Sequence, residues 1–409
     1  MMQIRNIRLL VIICFLFVNS NSMGQANSFR TKAWEEDLDY LGTQLPIRHK
    51  NLYHQMGKTT FSQKIDSLKR KVPDLNDDEI FIEISKITAL AGDAHTRISS
   101  PDPARFPLVY YWFKEGIFVI DGPAEYEGLM LSKLTHIQGI PVEEIIDRLR
   151  PVLSYENDYF FKDLAVRNLR RPYVLKGLKV CSGDTVAFTF VKNGEVMQTF
   201  LSPKHYDSIP FAMERGIKDK LPSSWVNRYE NYWYTYMKDR QMLYFQYNIC
   251  SEKKDKPFYI FNEEMFRLID SCKVKKMVID LRYNGGGSDG IIRPCLNSIR
   301  ARKELNSPNS LCVLISRHTF SSALMDALDF RKKTKATFAG EPTGGKPCHY
   351  GQIRSFSLNH SKITIDYSTK YFKCGKKSDA CLAPDIAVEP SVEDLIRNKD
   401  GLLSKISFD

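Results

Sequence analysis

The sequence predicts an α/β protein in three parts: a small helical domain, a β-rich middle domain and a C-terminal core of parallel strands. Three patterns predict it. Apolar residues recur at helical spacing near residues 34–91, an Asn-Gly turn joins two alternating runs near 186–201, and strand and helix patterns alternate from about 226 onward. With 409 residues, 43% hydrophobic and 26% charged, the chain has globular composition and is long enough for two or three domains.

The first residues read as a leader rather than as part of the fold. Arg5 and Arg8 precede an apolar run from Leu9 to Val18, and small and polar residues follow through Ala26. This is the pattern of a secretory signal peptide over 1–26, and its apolar run is too short for a bilayer, which needs about 20 residues. Cys14 lies inside that run without the small residues that precede a lipoprotein cysteine. The expectation is therefore an exported protein of the periplasm or envelope, with no integral membrane segment once the leader is removed.

Helical spacing of Trp34, Leu38, Leu41 and Leu45 predicts a helix ending at Pro46. Asn76 followed by Glu79 reads as a capping box opening a second helix with Ile80, Ile84, Ile87 and Ala91. Residues 27–101 are thus the expected helical domain, which contains the segment Gly92-Asp93-Ala94-His95-Thr96. In the middle domain, 102–225, Gly116 to Asp121 reads as a strand. Val186 to Val191 pairs with Val196 to Leu201 through Asn193-Gly194. Between them, Leu134 to Ile146 reads as a strand, a Gly-Ile-Pro turn and an amphipathic start.

From 226 to 409 the expected order is a strand at Leu243 to Asn248, a helix at Phe261 to Ile269 and a strand at Met277 to Arg282. A helix at Ile291 to Ile299, a strand at Leu311 to Ser316, a helix at Ser321 to Lys332 and a strand at Ala336 to Gly340 follow. The tail is β-rich, with Ile363 to Ile365 alternating.

Charge and cysteine content narrow the function. The net charge of +11 is spread over scattered clusters such as Arg167 to Arg171 and Arg331 to Lys335, with no basic-plus-aromatic module, so nucleic acid is not an expected partner. The nine cysteines form no CxxC pair, so neither a zinc site nor a thioredoxin-like site is expected. Cys272, Cys295 and Cys312 read as small core residues. Cys374 and Cys381 bracket a short loop and are candidates for a local disulfide.

Four segments carry chemistry. In MVIDLRYNGGGS, from Met277 to Ser288, a buried strand runs into three glycines, which lets backbone N–H groups approach a ligand. It lacks the Lys-Ser/Thr of a P-loop. In LCVLISRHTFSSAL, from Leu311 to Leu324, a strand runs into Ser321 and Ser322 at a helix start. In isolation such a serine is a helix cap, but a strand-to-helix turn also exposes a hydroxyl beside N–H groups. In GEPTGGK, Lys346 follows two glycines and could accept a proton if desolvated. His95 in GDAHT is the side chain best suited to general-base work near neutral pH.

Together, in this order, these segments resemble the C-terminal-processing (tail-specific) serine peptidases, a family related to the tricorn core protease and interphotoreceptor retinoid-binding protein. IDLRYNGGG resembles the family's strand and glycine turn, HTFSSAL its nucleophile segment, GEPTGGK its lysine segment at the usual spacing, and LAPDI its final Pro-Asp. The resemblance covers about 240–390 and reaches back to GDAHT. It implies a ClpP/crotonase-like core and peptide-bond hydrolysis through a Ser321 acyl-enzyme, without cofactor or metal. It also implies an oxyanion hole made by the Ser322 N–H with that of Gly286 or Gly287. Two bases stay open: Lys346, as in the tail-specific branch, or His95, as in the tricorn branch, with Asp379 as the acid that orients it. LTHIQGIPVEEI resembles part of a PDZ domain, which binds a peptide by strand addition. Leu324 stands where most members carry glutamate, which leaves a non-catalytic binder of peptides or apolar ligands as the alternative. Oligomeric state is not legible.

Overall fold

The computed structural model describes residues 28–205, 221–374 and 379–406. The expected signal peptide therefore lies outside the described residues. Helix α1 covers 28–48, so Pro46 sits inside its last turn instead of ending it. Proline removes only its own N–H, and the following His49 N–H still reaches Leu45 O at 2.9 Å. Helices α2 (Lys58–Lys71) and α3 (Asp77–Ala89) complete the N-terminal group. The α3 cap is the expected box: Asn76 Oδ1 accepts from the Glu79 N–H while the Glu79 carboxylate accepts from the Asn76 N–H, both at 2.9 Å.

Three sheets follow. Strands β2 (Val109–Phe113), β3 (Gly116–Asp121), β4 (Lys133–Ile137), β6 (Val186–Lys192) and β7 (Glu195–Leu201) form an antiparallel middle sheet, with β5 (Ile140–Pro141) paired to β4. Asn193 and Gly194 both have positive φ, 52° and 85°, which matches the twist a two-residue hairpin needs. Helices α4 (Val142–Leu149), α5 (Asp158–Asn168) and α6 (Pro172–Gly177) lie between β5 and β6 in the chain.

After α7 (Ser223–Val226) the alternating pattern becomes the core sheet. Its strands are β8 (Tyr232–Met237), β9 (Met242–Tyr247), β10 (Lys276–Asp280), β11 (Leu311–Ile315), β12 (Thr337–Gly340) and β15 (Ile386–Ala387). All neighbours from β9 to β15 are parallel, and β8 is antiparallel to β9. Helices α8 (Phe258–Ser271), α9 (Arg293–Arg300) and α10 (Ser322–Lys333) supply the crossovers. Every residue of β11 is buried, as expected of a strand covered on both faces.

The third sheet ties distant parts of the chain together. β1 (Arg97–Ser99), just after GDAHT, pairs with β14 (Thr364–Phe372), which pairs with β13 (His349–Ser357). Buried Leu38, Leu41, Ile84 and Ile98 accordingly share one core with Phe356 and Ile365. Two short helices, α11 (Val392–Ile396) and α12 (Gly401–Lys405), close the chain.

Cysteine pairing differs from expectation. The disulfide joins Cys348 to Cys374, and Cys381 is free. The hairpin register explains it: His349 pairs with Phe372, so Cys348, next to His349, and Cys374, two residues past Phe372, come together at the open end of β13 and β14. Cys295 and Cys312 are buried, whereas Cys272 is exposed because α8 ends just before it. Among the described residues no helix is long and apolar enough to cross a membrane.

Candidate active site

Ser321 stands at the junction of β11 and α10 with φ 53° and ψ −126°. A side chain rarely adopts this conformation, which costs about 1–3 kcal/mol and survives only where the surroundings enforce it. The enforcement is visible. Thr319 Oγ1 donates to Leu281 O at 2.8 Å, Ser316 Oγ to Arg282 O at 2.6 Å, and the Phe320 N–H to Asn284 O. The loop that carries Ser321 is thereby stitched to the glycine turn after β10. Gly286, φ 104°, packs so closely that a Cβ there would stand 2.8 Å from Ser321 Cβ. The Ser321 hydroxyl makes no capping bond to α10. It meets His95 Nε2 at 3.1 Å instead.

His95 arrives from the other side of the site. The Asp93 carboxylate folds back on its own turn: Oδ1 accepts the His95 N–H at 2.9 Å, and Oδ2 accepts the Thr96 hydroxyl at 2.6 Å. His49 adds a further donor, with Nε2 3.1 Å from Asp93 Oδ2. Because His49 Nδ1 accepts from the Asn51 N–H at 3.0 Å, the proton of its neutral ring is on Nε2 and points at Asp93. Burial alone would raise the Asp93 pKa, but the hydrogen bonds from His49 and His95 overcome it and hold the carboxyl well below the usual carboxylate range.

The same carboxylate faces the His95 ring. His95 Nδ1 lies 3.8 Å from Asp93 Oδ1, within ion-pair reach but too long for a hydrogen bond, and has no other partner. The ring is fixed by stacking. Phe320 lies on it at 4.4 Å between centroids and His349 at 5.5 Å, with Phe160 beyond Phe320 and Phe372 beyond His349. His349 Nδ1 donates to Lys346 O at 2.9 Å. Burial, helped by the charge of His95, lowers the His349 pKa to about 4, so the His349 ring is uncharged at neutral pH.

The other residues singled out from sequence fall as follows. The Ser322 hydroxyl donates to Gly287 O at 2.7 Å, which holds those two residues together beside Ser321. Among the described residues neither the Ser322 N–H nor the Gly287 N–H has an acceptor, and the bridge to Cys250 uses Gly286 O and the Ser288 N–H. The Gly286 N–H is already taken by Asn284 Oδ1 at 2.9 Å, so between the two glycines it is Gly287 that has a donor free. Lys346 is not joined to Ser321 by a hydrogen bond and does not line the Ser321 cleft. Its backbone N–H donates to Glu156 Oε2 at 3.0 Å. Asp379 is exposed beside Cys381, and the carboxylate that faces His95 belongs to Asp93.

Two features of the site carry no sequence signal. The buried Arg317, four residues before Ser321, pairs through Nε with Glu341 at 2.9 Å and donates to Trp112 O at 2.9 Å, fastening the Ser321 loop to the middle sheet. Glu156 is the second. Burial pushes its carboxyl up to about 7, against the pull of the Lys346 N–H. A carboxyl whose folded pKa is raised contributes stability below its unfolded value and loses it as pH rises through the folded one. Wild-type Tm is therefore expected to fall relative to Glu156→Gln between about pH 4.5 and pH 7. Calorimetry of both proteins across that range checks it; parallel curves would show that Glu156 is not protonated in the fold.

The cleft in front of Ser321 has a volume of about 490 Å³, and its lining includes Phe320, Met325, Ile353 and Phe372. Compared by sequence alone, the chain matches no family model and no curated protein. Compared by shape, it is similar to mature CPAF complexed with lactacystin, with a TM-score of 0.63 at 12% identity over 90% of this chain and 96% of that one. Mature CPAF without that compound gives 0.62 at 12% identity, over 90% and 95%. The photosystem II D1 C-terminal processing protease covers 90% of this chain and 97% of its own at 13% identity, with a TM-score of 0.43. The chain thus shares the fold of mature CPAF.

Proposed function

We propose that the chain is an exported serine endopeptidase that cleaves envelope or extracellular proteins through a Ser321 acyl-enzyme. The observation that carries this reading is the 3.1 Å contact between His95 Nε2 and Ser321 Oγ, made across 226 positions of sequence. With Nδ1 facing Asp93, the neutral His95 ring keeps its proton there and offers the Nε2 lone pair to the serine hydroxyl. Ser321 Oγ attacks the peptide carbonyl as His95 takes its proton, and the Asp93 carboxylate stabilises the imidazolium. The carbonyl oxygen, now charged, is held by the N–H groups of Ser322 and Gly287. His95 returns the proton to the departing amine, and water then releases the acyl group by the same steps in reverse.

In this scheme His95 is the base, Asp93 takes the part expected of Asp379, and Lys346 is not the base. The resemblance extends the reading to a ClpP/crotonase-like core over 226–409 and a PDZ-like middle domain. The leader over 1–26 supports export, and so does the Cys348–Cys374 disulfide, a bond that persists in oxidising compartments. Proteomic comparison of envelope fractions containing wild-type or Ser321→Ala protein tests the function. New N-termini seen only with the wild type are expected; identical peptide maps would count against a peptidase.

A further inference from the structure

A second cavity, of about 260 Å³, lies beside the GDAHT turn, and Arg97 is the one lining residue it shares with the Ser321 cleft. Two helices supply much of its wall. Phe81, Ser85 and Thr88 recur at helical spacing on α3, and Leu164, Arg167 and Arg171 do so along α5 and just past its end. Ser99 of β1 and Ser154, between α4 and α5, add to the polar lining. The wall holds three guanidinium groups and no carboxylate.

The three arginines are not equivalent. Arg167 pairs with Asp163 at 2.6 Å and Arg97 with Asp366 at 3.2 Å. Among the described residues Arg171 has no carboxylate within ion-pair distance, and its side chain meets the phenol of Tyr173 instead. Pro172 opens α6 and holds Arg171 in extended backbone, φ −99° and ψ 110°, at the corner between α5 and α6. Burial lowers the Arg171 pKa, and against the pull of Tyr173 the charges of Arg105 and Arg97 lower it further. A guanidinium nevertheless keeps its proton across the working pH range, so this charge stays where it is. A charge drawn out of water without a counter-charge is costly, and an anion relieves the cost.

Hydroxyl donors stand ready beside it. Ser85 and Thr88 spend their protons on the α3 backbone, at 2.8 Å to Phe81 O and 2.9 Å to Ser85 O. Ser154, 8% exposed, and Ser99 make no side-chain hydrogen bond among the described residues, so both hydroxyls remain free to donate. Ile98, Leu153 and Val174 add an apolar part to the same wall.

From this juxtaposition we infer that the cavity is an anion site anchored on Arg171, which takes a phosphate-type oxyanion, free or as the phosphoryl end of a small ester. Such a group offers several acceptor oxygens to a guanidinium fork and to hydroxyls that come from different elements. The carbon part of an ester would meet the apolar residues. The inference is independent of the peptidase reading, because neither Ser321 nor His95 takes part in it.

Titration calorimetry of the chain tests it, with inorganic phosphate and phenyl phosphate as probes in chloride buffer of fixed ionic strength. One saturable site per chain is expected for at least one probe. Tighter binding of phenyl phosphate assigns the site to an ester; equal or tighter binding of phosphate assigns it to the free ion. Arg171→Gln is expected to weaken the better probe about tenfold or more, and Ser154→Ala, which leaves the charge in place, about threefold. No saturable binding of either probe, or binding abolished by replacing other salts with chloride at the same ionic strength, would overturn the site. So would an affinity unchanged in folded Arg171→Gln or, should that variant fail to fold, unchanged in Ser154→Ala.

Discussion

Replacing His95 with alanine is expected to lower kcat/KM for a peptide substrate roughly 10⁴-fold or more. The reason is local. His95 Nε2 is the only hydrogen-bond partner of the Ser321 hydroxyl among the described residues, and the hydroxyl is a poor nucleophile until a base removes its proton. The loss should fall mainly on kcat, because the ring is 1% exposed and sandwiched between Phe320 and His349, where it offers substrate little contact surface. Lys346→Ala is the matched control. It retains the main-chain N–H that donates to Glu156 and is expected to keep activity within about tenfold. Steady-state kinetics of the two variants decide between the bases. Full activity in His95→Ala with loss in Lys346→Ala would assign the proton transfer to the lysine.

Asp93→Asn carries the second large effect. Its carboxylate accepts from the His95 N–H, the Thr96 hydroxyl and His49 Nε2, and faces His95 Nδ1. An amide removes the negative charge that stabilises the imidazolium and can present its NH₂ group to one of these donors. A loss of about 10³- to 10⁴-fold in kcat is expected from the charge and tautomer together. The stability consequence has a definite sign. Asp93 is held below its ordinary pKa, so its contribution is present at neutral pH and lost as pH falls below the unfolded carboxylate range near 4. Wild type should thus lose Tm in acid more steeply than Asp93→Asn. Equal kcat in the two proteins, or equal acid sensitivity, would remove Asp93 from its place behind His95.

Much of the core was legible because parallel strands buried on both faces read as unbroken apolar runs. Leu311 to Ile315 is such a run, and Ser321 follows it at the turn where a strand gives way to a helix. His95 was legible only through its motif, since a histidine near the end of a helix has no pattern of its own. Asp93, the carboxylate that faces His95, lies in that same motif, whereas the resemblance points to Asp379. The available signal was its spacing: an aspartate two residues before a histidine can accept the histidine's own N–H in a tight turn. Other features depend on contacts no local pattern announces. Glu156 acquires its meaning from Lys346, 190 positions away, and Arg317 from Trp112, 205 positions away. The disulfide is not legible in the sequence, where proximity favours Cys381 for Cys374, whereas the β13–β14 hairpin brings Cys348 to it.

The central claim is that His95 activates Ser321 for covalent catalysis, and a fluorophosphonate reagent with intact-protein and peptide mass spectrometry tests it most directly. One adduct per chain, located on Ser321, is expected at neutral pH. It should be absent from Ser321→Ala, formed at least a hundredfold more slowly by His95→Ala, and formed at near wild-type rate by Lys346→Ala. No adduct on folded protein, or an adduct on Ser321 whose rate depends on Lys346 and not on His95, would contradict the account.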